Sequence, residues 1–395
     1  MTEVSNIPKP EPTPPQRTSK RKFFLRLLLI VVVLGIIAWT AWYFLDGRWY
    51  AATDDAYVGG NIVQVTPKVP GTVISIGADN GDLVHAGQVL VKLDPSDAEV
   101  ALDAAKANLA LAVRKVRGLY NNVEGAQAEV SARKVALNKA QSDYDRRKGL
   151  AESGAISAEM LAHVRDALAG AKSALIAAQQ QYQNTQALVG DTDVASSPGV
   201  KAAEAKLRAA YLNDVRTTLL APVDGYVAKR TVQVGEQVRP GMALMAVVPL
   251  HQAWVDANFK ETQLEHMRIG QAVELSSDLY GGSVTYHGKI EALGIGTGSA
   301  FSLLPAQNAT GNWIKIVQRV PVRISLQQDE LDKHPLRIGL SMNVSVNLHN
   351  QDGPMLAQKA LTKPVFTTDV YKTQLADAEA LIDSIVRANL GQESR

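Results

Sequence analysis

Few residues in this chain have the types and spacing that chemistry demands. Its seven histidines are scattered, and no His-Glu-x-x-His zinc helix occurs. No serine sits in a Gly-x-Ser-x-Gly elbow. Cysteine is absent, which removes disulfides, thiolate metal sites, a cysteine nucleophile and a lipidated N-terminal cysteine. Gly294-x-Gly296-x-Gly298 imitates a phosphate loop, but the strand-turn-helix context that such a loop needs is missing. No catalysis, metal or cofactor is therefore expected. A net charge of +2 leaves no nucleic-acid footprint. Two stretches remain in which binding without chemistry is open. The row from Arg146 to Ser157 surrounds the break between two helical patterns, where Gly149, Gly154 and Ser157 lie. Phe301, Leu303 and Leu304 lie in a long loop rich in glycine, serine and asparagine, from Gly294 to Gly311, and packing against the neighbouring β-segments is the leading role for them, with recognition beside it.

The elements that position them begin with a repeat. Residues 69–93, VPGTVISIGADNGDLVHAGQVLVKL, align without a gap on residues 223–247, VDGYVAKRTVQVGEQVRPGMALMAV, at one offset of 154 positions. Gly71, Gly81 and Gly87 fall on Gly225, Gly235 and Gly241. Two copies of one supersecondary unit, neither able to bury its apolar face alone, must meet in space while the insertion loops out. Within the insertion, Asp94-Pro95-Ser96-Asp97 reads as a helix start, with Asp94 as N-cap and Pro95 as the first helical residue. Leu102, Leu109, Val116, Val123, Val130, Leu137 and Tyr144 then recur every seven residues, and Ala105, Ala112, Leu119, Ala126 and Ala140 supply the companion positions. After the break, Leu161, Leu168, Leu175, Tyr182 and Val189 resume the spacing. Asp191 to Gly199 interrupts it, and Val200, Ala203, Leu207 and Ala210 restart it. An antiparallel hairpin follows, with a descending helix in two pieces. For Ser157 an N-cap role stands beside recognition, for Leu150 a covering role over the hairpin end, and for Arg146 that of a solvated cation.

Before the first repeat, Leu27 to Leu45 carries no charge, and at 1.5 Å per residue it spans about 28 Å, close to a hydrocarbon core. Arg17, Lys20, Arg21, Lys22 and Arg26 precede it, whereas Asp46, Asp54 and Asp55 follow it. The positive-inside rule puts the tail in the cytoplasm and the rest outside. Trp39, Trp42, Tyr43, Trp49 and Tyr50 crowd the far end as an interfacial belt. A cleaved signal peptide is the competing reading, and Trp42-Tyr43-Phe44-Leu45 is a poor cleavage site. After the second repeat, alternating runs at 253–257, 272–275, 283–286, 320–324 and 342–348 read as a small antiparallel barrel, with comparable turns at Arg268-Ile269-Gly270-Gln271 and Arg337-Ile338-Gly339-Leu340. Residues 371–390 form an amphipathic helix whose apolar face has three candidate partners: the barrel, a neighbouring subunit or the membrane surface.

Arg146, Leu150 and Ser157 have the spacing R-x3-L-x6-S, which resembles the tip motif of periplasmic adaptors that dock on TolC-like outer-membrane channels. With the split repeat, the anchor and the hairpin, the chain is similar to membrane fusion proteins of the HlyD type. The strings at 254–263, WVDANFKETQ, and 296–305, GTGSAFSLLP, resemble the EmrA-like multidrug efflux branch. The resemblance implies an elongated α+β multidomain fold. A disordered basic cytoplasmic tail (1–26) would lead to a transmembrane helix (27–45), then a linker and first barrel strand (46–62). A lipoyl-like β-sandwich is split into halves (63–94 and 219–249) by a coiled-coil α-hairpin (95–218, tip 146–157). A β-barrel (250–350), to which residues 57–66 lend a strand, and a C-terminal segment (351–395) complete it. Lipoyl carriers hold a lysine in a tight turn between their halves. Lys92 instead sits within the strand pattern, at the position of Ala246 in the second copy, so a swinging cofactor arm is not expected.

The function so implied is that of a single-pass adaptor in a bacterial inner membrane, with its bulk in the periplasm, serving multidrug efflux and antibiotic resistance. Several copies would form a homo-oligomeric ring. The barrel end would engage a proton-driven major-facilitator transporter, with Phe301, Leu303 and Leu304 touching transporter or substrate. The tip would meet a TolC-like channel. An adaptor for an ABC exporter of a protein toxin, and a coiled-coil envelope spacer without transport, are the alternatives.

Overall fold

The computed structural model describes residues 20–301, 315–360 and 362–390. In chain order the first helix, α1, runs Lys20–Leu45, and strand β1 runs Tyr50–Gly59. The first repeat supplies β2 (Val63–Val65), β3 (Gly71–Ile76), β4 (Leu83–Val84) and β5 (Val89–Leu93). Three helices follow, α2 (Ser96–Glu152), α3 (Ala158–Val189) and α4 (Pro198–Val215). The second repeat supplies β6 (Thr218–Leu220), β7 (Gly225–Arg230), β8 (Gln237–Val238) and β9 (Met245–Val248). Then come β10 (Trp254–Lys260), β11 (Ala272–Ser277), β12 (Thr285–Leu293), β13 (Arg319–Leu326), the short α5 (Gln328–Lys333), β14 (Ser341–Asn347) and α6 (Thr373–Leu390). Two compact units result, Met1–Gly60 with Leu250–Thr362, and Asn61–Pro249 with Lys363–Arg395.

In the first unit, α1 belongs to the one stretch among the described residues, Phe23–Trp49, that is long and apolar enough to cross a membrane. Its large apolar side chains are exposed, as a helix solvated by lipid requires. The six strands β1, β10, β13, β12, β11 and β14 close into a barrel in that order. Strand β1 starts seven residues earlier than the predicted 57–66 and ends at Gly59, because Ala51, Ala56 and Val58 are the residues that turn into the barrel core. Val63–Val65 pairs elsewhere, with Met245–Val247. Alternating burial along β10, β12, β13 and β14 fills the interior with Phe259, Tyr286, Ile290, Ile324 and Val344. The Tyr286 hydroxyl donates to the His334 carbonyl at 2.9 Å, and burial pushes its pKa up to about 12. The two Arg-Ile-Gly turns are equivalent: the Gly270 N–H donates to the Ile290 carbonyl and the Gly339 N–H to the Val58 carbonyl, each at 2.8 Å.

In the second unit the repeat becomes a two-sheet sandwich with strands exchanged between copies. One sheet has the order β2-β9-β7-β4 and the other β6-β5-β3-β8, so each copy lends its two-residue strand to the other. The exchange obeys the 154-residue offset pair by pair. Val84 pairs with Gly225 and Val238 with Gly71; Leu83 pairs with Tyr226 and Gln237 with Thr72. The Gly81 N–H donates to Val227 O and the Gly235 N–H to Val73 O, both at 2.8 Å. Gly81 and Gly235 sit at φ +90° and +86°, which side chains rarely adopt, and this accounts for glycine in both copies. The glycine at 225 answers to crowding instead: a Cβ there would lie 2.5 Å from the Val248 oxygen. Val84, Leu90, Val238 and Leu244, equivalent in pairs, are fully buried between the sheets.

Helix α2 runs unbroken for 57 residues, about 86 Å. It passes through Gly149 and ends at Glu152; Ser153 keeps helical angles, and Gly154, at φ +77°, is where the chain turns away. The Asp94 carboxylate accepts the Ser96 N–H at 3.0 Å, giving the first turn its side-chain cap, although helical bonding is counted from Ser96. The descending arm breaks between Val189 and Pro198, where the Ser196 N–H donates to Asp193 at 2.7 Å. The seam is fully buried at Leu102, Ala105, Leu109 and Val116 but only half-buried at Val123, Val130, Leu137 and Tyr144.

The difference comes from α6. It packs on the root of the hairpin, against α2 and α4 of its own unit. Ala378, Ile382 and Val386, one helical stripe, are buried against α2 and α4 beside Leu109, Val113 and Leu207. Leu375 faces solvent. Arg208 clamps Glu379 across the α4–α6 contact, with its Nη2 at 2.6 Å. That hydrogen bond holds the Glu379 carboxyl below its usual range and raises Arg208.

Two outcomes follow for this three-helix root. Ile382→Ala removes a fully buried side chain and should destabilise the docking of α6 by roughly 2–5 kcal/mol. Amide exchange along 373–390 should accelerate while exchange in the barrel strands stays unchanged. Because the folded pKa of Glu379 lies below the unfolded one, its pairing is complete above pH 4.5 and lost as pH falls through the folded value. The protection of the α6 amides, measured against their intrinsic exchange rates, should therefore fall below pH 4.5, and Glu379→Gln should flatten that dependence.

Candidate functional site

The tip is built by two complementary caps. Helix α2 stops in a Schellman arrangement: the Ala155 N–H donates to Leu150 O and the Gly154 N–H to Ala151 O, both at 2.9 Å, with Gly154 at φ +77°. The Ser153 hydroxyl adds a bond to the Leu150 carbonyl at 2.9 Å. Helix α3 then starts on Ser157, whose Oγ accepts the Met160 N–H at 3.2 Å, with Glu159 in the first turn. Ile156 and Leu161, at the hydrophobic-staple positions, are both half-buried.

This geometry divides the three predicted tip residues. Arg146 and Leu150, four apart on α2, share one face of its last turns and are both exposed. Arg146 pairs only with Asp143, one turn back on its own helix, so its guanidinium is held along the rod surface. The Ser157 oxygen, in contrast, is engaged as a cap. Just below the tip, Ala136, Ala140 and Ala167 leave a groove of 250 Å³ between the arms, rimmed by Lys139, Asp143 and Arg147. The small residues of the seam were its only signal in the sequence.

The second candidate loop is described in part. Phe301 ends a short 3-10 turn, Gly298–Phe301, and is 76 % exposed. A Cβ on Gly296 would meet its ring at 2.7 Å, so the central glycine of Gly-x-Gly-x-Gly makes room for an aromatic side chain. Ile295, Ile316 and Val317 are also exposed. Leu303 and Leu304 lie outside the described residues. The loop feeds β13, whose first residue Arg319 pairs with Lys260 and forms an ion pair with Asp55 of β1 at 2.8 Å. The described flanks of the loop thus leave the barrel at the end where β1 arrives from α1.

The displaced titrations trace to caps and ties. Asp94 is lowered by Ser96, Asp193 by Ser196, and Asp79 by Arg230, which bridges the two repeats at 2.8 Å. Burial raises the Glu330 carboxyl, but the His287 N–H at 2.6 Å and the His287 ring outweigh it and hold it low. Lys92 is exposed on β5, in register with Thr218, and so lies within a ladder and not in a turn. Among the described residues no group of three His, Asp or Glu is placed to hold a metal ion.

Comparison with known proteins agrees with this architecture. Residues 96–217 match the family of EMRA alpha-helical hairpin domains, and residues 252–347 match the AAEA-like beta-barrel domain. The chain is 48 % identical to the Multidrug export protein EmrA of Escherichia coli (strain K12), over 96 % of this chain and 97 % of that protein. It is 47 % identical to the Fatty acid resistance protein FarA of Neisseria gonorrhoeae, over 93 % and 92 % respectively. A solved structure of the periplasmic adaptor protein EmrA, 19 % identical, covers 76 % of this chain and 99 % of its own, with a TM-score of 0.38. A hairpin inserted between two strand-exchanging repeats, a closed six-stranded barrel and 47–48 % identity over more than nine-tenths of EmrA and FarA place the chain in the HlyD-type membrane fusion proteins, in their EmrA-type branch.

Proposed function

We propose that this protein is the periplasmic adaptor of a tripartite multidrug efflux system, joining a proton-driven major-facilitator transporter of the inner membrane to a TolC-like outer-membrane channel. One observation carries the reading. The same chain holds a membrane-length apolar helix and a stiff 57-residue helix whose capped end presents exposed Arg146 and Leu150. Export as the activity comes from the name of the Escherichia coli relative.

In this reading α1 anchors the chain in the inner membrane, with the basic N-terminal tail in the cytoplasm, by the positive-inside rule. The barrel end that carries Phe301, with Leu303 and Leu304 beyond it, faces the transporter. Several copies ring together so that their hairpins line a conduit. Arg146 and Leu150 make the channel contact, an apolar side chain flanked by a cation. Ser157 serves it indirectly, by starting α3 at the right place. The protein works through geometry and not through bond chemistry: it holds a fixed distance, seals, and passes on any movement of the rod.

Leu150→Asp and Arg146→Asp should each abolish drug resistance in cells while expression and crosslinked oligomers stay at wild-type levels. Wild-type susceptibility in both variants would remove the tip from the docking contact. Ser157→Ala should cost the start of α3 about 1 kcal/mol. It should read out as faster amide exchange at 158–162 with only a partial loss of resistance. A complete loss with unchanged exchange would instead make the hydroxyl a direct contact.

A further inference from the structure

One cleft of 230 Å³ in the sandwich unit has no part in either docking end. It opens where the edge strands β2 and β6 of the two sheets meet the end of α4, and its outer wall is the strap that leads into α6. The strap is tied down beside it: the Thr368 hydroxyl donates to the Pro222 carbonyl at 2.7 Å. Val65, Leu219 and Pro222 make the apolar side. Two cations, Lys68 and Arg216, make the polar side, and no carboxylate lines the cleft. The Lys68 ammonium stands 4.4 Å over the Tyr371 ring.

The Arg216 guanidinium is unusual. Its Nε is buried and donates to no acceptor. Buried donors, and charged ones above all, are satisfied in folded proteins, and an exception asks for a missing partner. An anion held in the cleft would neutralise Arg216 and Lys68, the two cations that line it, at the same time. A bare inorganic anion would leave the Val65, Leu219 and Pro222 wall and the Tyr371 ring facing water. A carboxylate or sulfonate on a flat apolar body covers both halves.

We propose that this cleft is a binding site for amphipathic organic anions, with Arg216 and Lys68 holding the acid group and the Leu219–Tyr371 slot holding the apolar body. Occupancy pins the strap, and with it α6, to the sandwich. The site is independent of the tip and of the transporter contact, so neither docking proposal bears on it.

Calorimetry on the full-length protein in lipid nanodiscs, with naphthalene-2-sulfonate as probe and inorganic sulfate as comparison, tests it. The aromatic sulfonate should bind one per chain and sulfate at least about 10-fold more weakly. Lys68→Gln and Arg216→Gln should each weaken the aromatic probe about 10-fold or more, Arg216→Lys should restore part of the loss, and Lys229→Gln, an exposed cation elsewhere on the sandwich, should change nothing. Lys68 is exposed, so its variant stays folded even where that of Arg216 does not. Amide exchange at 363–372 should slow on binding. Absence of saturable binding, equal affinity in the Lys68 and Lys229 variants, or sulfate binding as tightly as the aromatic sulfonate would each overturn the assignment.

Discussion

Neither copy of the repeat can finish its own sheet. Strand β4 of the first copy has its ladder partner in the second, at Gly225 and Tyr226, and β8 of the second has its partner in the first, at Gly71 and Thr72. The backbone groups of these short strands go unpaired unless both copies are present, and an unpaired buried backbone group is costly. The polypeptide between the copies must therefore leave and return at one place. The join is direct: the Leu93 N–H, last in the first copy, donates to the Thr217 carbonyl at 2.8 Å, at the threshold of the second. A 57-residue helix that sets out from one side of that bond and a helix that comes back to the other side have no arrangement open to them except an antiparallel pair. Direction, register and footing of the rod are thus consequences of strand exchange in a small sandwich.

The same constraint sets how stability is spread along the rod. Two helices bury one stripe each, and alanine at the companion positions makes the stripe narrow. Near the root a third helix, α6, widens the buried surface, and Leu109, Val113, Val200 and Leu207 lose all contact with solvent. Further out there is no third helix, and the α2 seam residues Val123, Val130, Leu137 and Tyr144 stay half-buried, with Val164 and Leu168 of α3 the buried residues opposite them. The shaft has the helical bonds of a long helix and the side-chain packing of a thin one. Local opening comes more easily in such a region than in a three-layer core, and lateral neighbours, as in a ring of copies, would supply the packing that one hairpin lacks.

What could be read from the sequence follows from how local each signal is. The glycines of the repeat were legible because Gly81 and Gly235 answer to backbone conformation and Gly225 to a backbone contact, which no other residue type meets as well. The heptads were legible because the seam is a period of one helix against its partner. Ser157 could be named as a cap from its place after a glycine break. The partner of α6 could not be read, since an amphipathic stripe says that something covers it and not what does. Leu375, apolar and within the same helix, faces solvent, because Ala378, Ile382 and Val386 are the ones that meet α2 and α4. The barrel strand was placed seven residues late, since alanines at 51, 52 and 56 carry little alternation. The Lys68–Arg216 cleft had no sequence signal at all. Its two cations, Lys68 just before the first repeat and Arg216 at the end of α4, are brought together only by the fold.

The bracing of the root matters in proportion to the length of the rod. Over about 86 Å, one degree of rotation at the base moves the far end of α2 by about 1.5 Å, so a few degrees carry a side chain such as Leu150 out of any shape-matched contact. Two helices resting on a hydrogen bond between residues 93 and 217 would bend readily across their thin direction. A third helix packed through Ile382 and Val386, and clamped by Arg208 on Glu379, opposes that bending where the lever is longest. The C-terminal segment is thus as much a part of tip positioning as the tip itself, although no residue of α6 comes near it in the sequence. A device that works by holding a distance has to invest its packing at the fulcrum, and this chain places its one three-helix core there.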